Sequence, residues 1–392
     1  MSRDPQTTQR VLAGVVTGLV GFTSSFAVVL AGLTAMGADA EQAASGLAVL
    51  CGTMGLGCIV FAAGYRTPIT MAWSTPGAAL LATSITPEGG FSSAVGAFIV
   101  TGVLIALSGL LRPLTEMVKR IPHAIANAML AGVLLRLCIA PFADMVSHPW
   151  TIGPIVVTWL LLLRLAPRWA VPGALGTAIV VMTTTGTFAQ VAAADLVPRL
   201  TWTSPTLTWQ AVVAVAIPLY IVTMTSQNIP GIAVLASFGY RPPIRGALTY
   251  TGVATVVGAP LGGHAINLSA IAAALSAGPE AGADTSRRWI AAVVAGATYA
   301  GFGPISRAVT SISNAAPAGL LAGIAGLALV SSFASATASA MGDTDHWQKA
   351  AIAFLVAASG ISIAGVGSAF WGLIAGLVAH LVLDRRIRTA RV

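Results

Sequence analysis

The residues hardest to reconcile with an apolar setting lie at 225–231, where the sequence reads Thr-Ser-Gln-Asn-Ile-Pro-Gly. They interrupt an apolar run that begins near Trp209 and continues through Leu235. Hydrocarbon offers no hydrogen-bond partners, so amide side chains are costly there unless they face a cavity or a neighbouring helix. The pattern predicts a binding-site helix with Gln227 and Asn228 as candidate substrate contacts. Amides also join helices to one another in bilayers, and that alternative stays open.

A second polar stretch lies at 67–80, within another apolar segment. Pro68 opposes an early helix, whereas Ser74 or Thr75 ahead of Pro76 is a favourable helix start. The sequence therefore predicts an extended lead-in followed by a half-helix.

A matching pattern occurs at 262–274. The paired glycines 262 and 263 and the polar Asn267 precede an alanine-rich run, so an extended stretch should again lead into a short helix. Two broken segments of the same design are typical of binding sites in secondary transporters.

The two predicted helix starts suggest what is bound. Each start carries unpaired backbone N–H groups and about half a positive charge, so two facing starts suit an anion or a strongly hydrogen-bond-accepting solute. Trp73 sits where it can stack on an aromatic ring, although tryptophan is also a common interfacial anchor. The expected substrate contacts in the broken segments are Trp73, Ser74, Thr75, Gly77, His264, Asn267, Leu268 and Ser269.

The composition places these segments in a membrane. Of 392 residues, 56% are hydrophobic and only 8% are charged, which is too little polar surface to cover a soluble globule. We predict an all-α polytopic membrane protein. Apolar runs of spanning length suggest fourteen segments, at 11–35, 41–63, 67–84, 91–111, 121–139, 150–166, 170–190, 207–236, 244–260, 262–278, 288–305, 315–333, 347–364 and 366–383.

The basic residues orient these segments. With the N-terminus inside, all of the 20 Lys and Arg residues except Arg136, Arg199 and Arg307 lie on the cytoplasmic side, as the positive-inside rule requires. Both termini are then cytoplasmic, in a bacterial-type inner membrane. The basic tail is expected to meet membrane lipid, and no aromatic interleaving suggests nucleic-acid binding.

The broken segments are the third of the first seven and the third of the second seven. An odd number of spans per repeat inverts the second copy, which brings the two helix starts together near the midplane. We therefore predict a 7+7 inverted repeat.

The sequence also resembles the benzoate/proton symporter family, the benzoate membrane transport proteins. The resemblance covers nearly the whole chain and is carried by Ser226-Gln227-Asn228-Ile229-Pro230-Gly231, by 258–268 and by Ala277-Gly278-Pro279-Glu280-Ala281. It implies the fold of uracil transporters and sulfate-type anion transporters. It further implies a core formed by 1–112 and 207–312, a gate formed by 113–206 and 313–392, and uptake of an aromatic carboxylate with protons.

The resemblance leaves the proton carrier open. Uracil-type transporters place acidic residues in segments 8 and 10, where this chain has amides and His264. A fixed carboxylate would repel a bound one, so their replacement suits an anionic substrate. His264 and Glu280 are the candidates for proton coupling, and the imidazole has an equally plausible structural role.

Other function classes fit the sequence less well. A membrane enzyme needs a convergent catalytic or metal-binding set, which the scattered histidines do not supply, so neither a cofactor nor a metal is expected. An anion channel, or a transporter of another organic anion or a nucleobase, stays open. A homodimer is compatible with the sequence, which does not determine the oligomeric state.

Overall fold

The computed structural model describes residues 5–190 and 197–389, which are mostly helical. Along 5–190 the elements are α1 (Pro5–Thr23), α2 (Phe26–Ala35), α3 (Ala40–Tyr65), β1 (Met71–Trp73), α4 (Thr75–Thr83), α5 (Gly90–Leu110), α6 (Arg112–Lys119), α7 (His123–Ser147), α8 (Pro149–Leu165) and α9 (Ala170–Thr184). Along 197–389 they are α10 (Trp209–Ala211), α11 (Ile217–Thr223), α12 (Ile229–Ser237), α13 (Ile244–Gly258), β2 (Ile266–Leu268), α14 (Ala270–Ala277), α15 (Trp289–Phe302), α16 (Ser306–Ala315), α17 (Leu320–Met341), α18 (Trp347–Ser359), β3 (Ser362–Ile363), β4 (Val366–Gly367) and α19 (Ser368–Thr389).

Within the described residues, seven helical stretches are long and apolar enough to cross a membrane. They lie at 6–35, 40–65, 90–110, 123–147, 209–237, 285–315 and 320–341, and shorter apolar helices lie at 149–165 and 368–383. A membrane-type, multi-pass helical protein is thereby confirmed. The count of fourteen spans stays a prediction.

Two stretches differ from their predicted form. The first predicted segment, 11–35, is divided between α1 and α2 at Ser24 and Ser25. The eleventh was expected to end at 305, but after a 3₁₀ turn at Gly303–Ile305 the chain continues as α16. Pro304 removes one helical hydrogen bond and tightens the turn without ending the segment.

The following helix is displaced as a result. α17 begins at Leu320 and ends at Met341, whereas the sequence predicted 315–333. Pro317 and Gly319, whose φ is +77°, separate α16 from α17, because neither residue favours helix continuation.

Helices from the two halves of the chain pack in pairs. α1 and α3 lie against α15, α5 lies against α13, and α7 contacts α17, α18 and α19. The α5/α13 contact is close because glycines face each other, and a side chain at Gly252 would clash with the backbone of Ala106. Small residues permit such approach in membranes, where dispersion contacts rather than hydrophobicity hold helices together.

Contacts between helix ends define two faces of the bundle. On one face, which we call the N-terminal face, the start of α1 meets the end of α14, and Gln9 Nε2 donates to the Glu280 carbonyl at 3.3 Å. On the opposite face, the start of α3 meets α16, where Arg307 Nη2 lies 3.1 Å from Glu41 Oε1.

A two-stranded ribbon joins the broken segments at the centre of the fold. β1 and β2 are antiparallel, with Met71 opposite Leu268 and Trp73 opposite Ile266. The pairing extends on both sides, since the Ser74 N–H donates to the Ala265 carbonyl at 2.8 Å and the Ser269 N–H to that of Thr70 at 3.0 Å. The predicted order of an extended lead-in and then a half-helix is confirmed in both segments. Pairing the strands satisfies backbone groups that hydrocarbon would leave without partners.

Candidate functional site

Both half-helices begin at the ribbon with a serine cap. The Ser74 hydroxyl accepts a hydrogen bond from the Gly77 N–H at 3.2 Å, and the Ser269 hydroxyl accepts one from the Ala272 N–H at 3.1 Å. Because the strands are antiparallel, α4 and α14 leave the ribbon in opposite directions. Their N-termini, each with a partial positive charge, therefore both border the ribbon.

A small polar cavity lies beside these helix starts, and we call it the central cavity. Its volume is about 50 Å³. Its polar lining comes from α1 and the break after it, from the two half-helices, from the segment containing Gln227 and from α15, namely Thr17, Ser24, Ser25, Thr75, Gln227, Ser269 and Tyr299. No charged side chain of the described residues lines it. The site therefore offers hydrogen bonds and the partial positive charge of two helix N-termini, but no charged side chain among the described residues.

Trp73 forms one wall of the central cavity. Its indole Nε1 donates to the Ser25 hydroxyl at 2.8 Å, and its ring centroid lies 5.7 Å from that of Phe22. Only 2% of the side chain is exposed. The indole is thus fixed in place, which suits a surface against which an aromatic ring packs.

Gln227 lies between the central cavity and a larger cleft, which we call the vestibule. The vestibule has a volume of about 570 Å³ and separates α4, α12 and α14 from α7 and α17. Gln227 and Ile271 line both spaces. Gln227 belongs to a π-helical turn at Met224–Asn228, and such turns occur frequently at functional sites.

Asn228, the second predicted amide, is buried, and its side chain hydrogen-bonds to neighbouring parts of the fold. Its Oδ1 accepts a hydrogen bond from the Leu268 N–H at 2.9 Å, and its Nδ2 lies 3.3 Å from Met224 Sδ. It therefore joins the π-helical turn to β2. Of the two amides, Gln227 alone lines the central cavity, and the structure places Asn228 in the helix-joining role.

We expect Asn228→Ala to destabilise the protein, because it leaves the buried Leu268 N–H without its acceptor, at a cost of about 1–3 kcal/mol. A thermal melt of the detergent-purified protein measures the effect as a lower midpoint. Gln227→Ala is the matched variant, since the Gln227 amide makes no hydrogen bond to another described residue. Equal midpoints for the two variants would contradict the role assigned to Asn228.

The remaining predicted residues of the broken segments lie behind the cavity wall. The Ser74 hydroxyl, fully buried, receives a hydrogen bond from Thr223 Oγ1 at 2.9 Å. The Asn267 amide lies 3.0 Å from the Ser74 backbone nitrogen. Gly77 and Leu268 are also buried and do not line the central cavity. Ser74 and Asn267 hold the helix starts in position, while Trp73, Thr75 and Ser269 face the cavity.

His264 is also buried, with 1% of its side chain exposed. Its ring meets that of Phe98 edge to face, with centroids 6.5 Å apart, and neither ring nitrogen has a hydrogen-bond partner among the described residues. It lies two residues before β2 and does not line the central cavity. Its predicted roles in binding and coupling stay predictions.

Glu280 lies apart from the central cavity. It belongs to a 3₁₀ turn, Pro279–Ala281, that follows α14 on the N-terminal face. About half of its side chain is exposed, and its Oε2 is 2.6 Å from Arg168 Nη1. Its proposed part in coupling likewise stays a prediction.

Sequence reasoning missed the residues that α1 and α15 contribute. The predicted segments 11–35 and 288–305 contain Ser24, Ser25 and Tyr299 without marking them as site residues. The adjacent serines in the middle of an apolar segment were the available signal, since polar groups at that depth normally face a cavity or a partner.

Aromatic rings separate the central cavity from the opposite face. The Phe22 ring stacks on those of Phe26 and Phe302, with centroids 5.4 and 4.0 Å away. Beyond them lies an almost wholly apolar cavity of about 320 Å³, between α1, α9, α16 and α17. The central cavity therefore adjoins the vestibule on one side and a layer of stacked rings on the other.

The helix-start pair, the uncharged polar cavity and the multi-pass fold together define a membrane transport protein. Solved structures agree on the fold. The chain resembles the transmembrane domain of the cyanobacterial bicarbonate transporter BicA, with a TM-score of 0.62, 14% identity, and coverage of 95% of this chain and 98% of that one. It also resembles the murine Slc26a9 anion transporter in the inward-facing state, with a TM-score of 0.59, 13% identity, and coverage of 98% of this chain and 69% of that one.

The chain belongs to the benzoate membrane transport protein family, whose model matches residues 4–382. It is 38% identical over 378 residues to the inner membrane protein YdcO of Escherichia coli (strain K12), covering 95% of each chain. It is 30% identical over 319 residues to the benzoate membrane transport protein of Acinetobacter baylyi, covering 81% of each chain. The family is one of membrane transporters and not of enzymes.

Proposed function

We propose that the protein is a secondary active transporter that imports benzoate or a related aromatic carboxylate with protons by alternating access. The observation that carries this proposal is the pair of half-helix starts beside an uncharged polar cavity walled by Trp73. The carboxylate binds near Thr75 and Ser269, where helix-start charge favours an anion. The ring packs against Trp73, and the Gln227 amide donates to a carboxylate oxygen.

The size of the central cavity bears on the transport cycle. At about 50 Å³ it has room for only a few water molecules, since one water requires about 10–15 Å³ of such a cavity. An aromatic acid therefore requires the cavity to widen. In the proposed cycle it widens toward the vestibule, which shares Gln227 and Ile271 with it.

The predicted domains account for that widening. In the proposal, 1–112 and 207–312 form a core that moves against a gate formed by 113–206 and 313–392, and the vestibule lies between them. The fourteen spans form a 7+7 inverted repeat, and the N-terminal face is cytoplasmic, as the distribution of basic residues suggests. The vestibule, bordered by His123 at the start of α7 and Ser339 near the end of α17, then opens toward the cytoplasm.

Uptake in proteoliposomes tests the proposal. Labelled benzoate should accumulate saturably when the outside is made acidic, and an uncoupler should abolish the accumulation. Substituted benzoates should compete, whereas neutral benzamide and uracil should compete at least about tenfold more weakly, because benzamide lacks the charge that accounts for about 1.5–3 kcal/mol of hydrogen bonding. Equal competition by benzamide would contradict an anion-selective site, and a non-saturable flux would favour a channel.

A further inference from the structure

A second cavity on the N-terminal face combines an apolar wall with one cation. It has a volume of about 360 Å³ and lies between α1, the end of α14 and the turn before α9, and we call it the α1 cavity. Leu12, Val16 and Leu275 form its apolar wall, and Arg168 is its cation. Thr17 and Leu275 line the central cavity as well. The α1 cavity therefore adjoins the proposed substrate site.

The Arg168 guanidinium is occupied by a carboxylate of the same chain. Its Nη1 lies 2.6 Å from Glu280 Oε2, and 49% and 48% of the two side chains are exposed. An exposed ion pair contributes little to stability because water screens it. A carboxylate that enters the α1 cavity can therefore compete with Glu280 for the guanidinium.

Another acid near this face, Asp284, has arginine partners of its own and does not compete for Arg168. Asp284 is the next acid on this face, and it lies 3.8 Å from Arg10 and 3.6 Å from Arg287. The hydrogen bond from the Ser286 hydroxyl, together with those guanidinium groups, holds the pKa of Asp284 below its usual range. Asp284 thus stays ionised with its own partners. Among the described residues that line the α1 cavity, Glu280 is the single acid and Arg168 the single base.

We propose that Arg168 is a second, transient binding position for the carboxylate of the substrate, with Glu280 as a tethered competitor that occupies it at rest. The inference rests on the proposed function, which it extends from the central cavity to the N-terminal face. A guanidinium binds a carboxylate through two parallel hydrogen bonds, and the wall formed by Leu12, Val16 and Leu275 accepts the aromatic ring. Glu280 then displaces the substrate by re-forming the ion pair, which prevents the site from retaining it.

A simpler role for the pair is a latch between the turn before α9 and the turn after α14. The two roles predict opposite patterns for the two neutral variants. A latch is broken equally by Arg168→Gln and Glu280→Gln, so both variants shift transport in the same direction. If Arg168 is a binding position, Arg168→Gln removes its cation and Glu280→Gln removes the competing carboxylate. The half-saturation concentration for the substrate then shifts in opposite directions in the two variants.

Counterflow of labelled benzoate in proteoliposomes of known orientation distinguishes these roles. At the N-terminal face, we expect Arg168→Gln to raise the half-saturation concentration by about threefold and Glu280→Gln to lower it by about threefold, as suits an exposed ion pair. The half-saturation concentration at the opposite face should not change in either variant. Arg164→Gln, which removes an exposed arginine of the same face that does not line the α1 cavity, is the matched control.

Each outcome has one meaning. Shifts of the same sign, or no shift in either variant at normal protein levels, would overturn the second binding position while leaving the proposed function intact. Absence of benzoate counterflow in the unaltered protein would overturn the proposed function, and this inference with it. Repeating the series with benzamide as the competing solute should show no shift, because a neutral amide does not compete with Glu280 for the guanidinium.

Discussion

Gln227→Ala is expected to lower kcat/KM for benzoate uptake by about 10- to 100-fold. A hydrogen bond to a charged group contributes about 1.5–3 kcal/mol, and each 1.4 kcal/mol corresponds to a factor of ten. Gln227 lines both the central cavity and the vestibule. Its loss therefore affects the substrate both where it binds and where it leaves.

The measurement is initial uptake in proteoliposomes at matched protein levels. Ser237→Ala is the control, because it removes a polar group from the same segment at the exposed end of α12. Gln227→Asn, which keeps the amide on a shorter side chain, should recover part of the activity. Unchanged uptake in Gln227→Ala would mean that the amide is only structural. It would also contradict the proposed binding geometry, which depends on this side chain more than on any other.

His264→Gln is expected to abolish pH-driven accumulation while preserving counterflow exchange. An anion that enters a cell with a negative interior works against about 2.3 kcal/mol per charge per 100 mV, so accumulation requires a co-transported cation or an exchanged anion. His264 is the one ionisable side chain of the two broken segments, and its ring nitrogens have no hydrogen-bond partner among the described residues. A proton bound there with the substrate and released inside would supply the charge.

Accumulation ratios at several outside pH values, with and without a membrane potential, measure this effect. His148→Gln is the control, because His148 is exposed at the end of α7 and far along the chain from the ribbon. Normal pH dependence of accumulation in His264→Gln would mean that the proton is carried by the substrate itself or by Glu280. Glu280→Gln in the same assay separates those two routes.

The strand and half-helix pattern was predictable because its causes are local. Pro68, the Ser74 cap ahead of Pro76, and the glycines before β2 each restrict the backbone within a few residues. The apolar runs are local in the same sense, because a span requires little more than length and hydrophobicity.

The orientation of individual side chains was not predictable. Gln227 and Asn228 are adjacent and chemically alike, yet one faces the cavity and the other binds β2. Their directions depend on the π-helical turn and on where β2 lies, which are tertiary properties. The break at Ser24 and Ser25 was missed for a related reason, since neither a proline nor a glycine occurs at 22–26 to mark it.

The β1/β2 ribbon also constrains how the chain can assemble. Met71 pairs with Leu268, so the first strand emerges from the ribosome about half a chain length before its partner exists. Until then its backbone groups have no ladder partner, and lipid provides none. The first broken segment is therefore expected to remain in a wetter or chaperoned setting during synthesis and to enter its final position only when the second half inserts, which makes the substrate site one of the last parts of the protein to form.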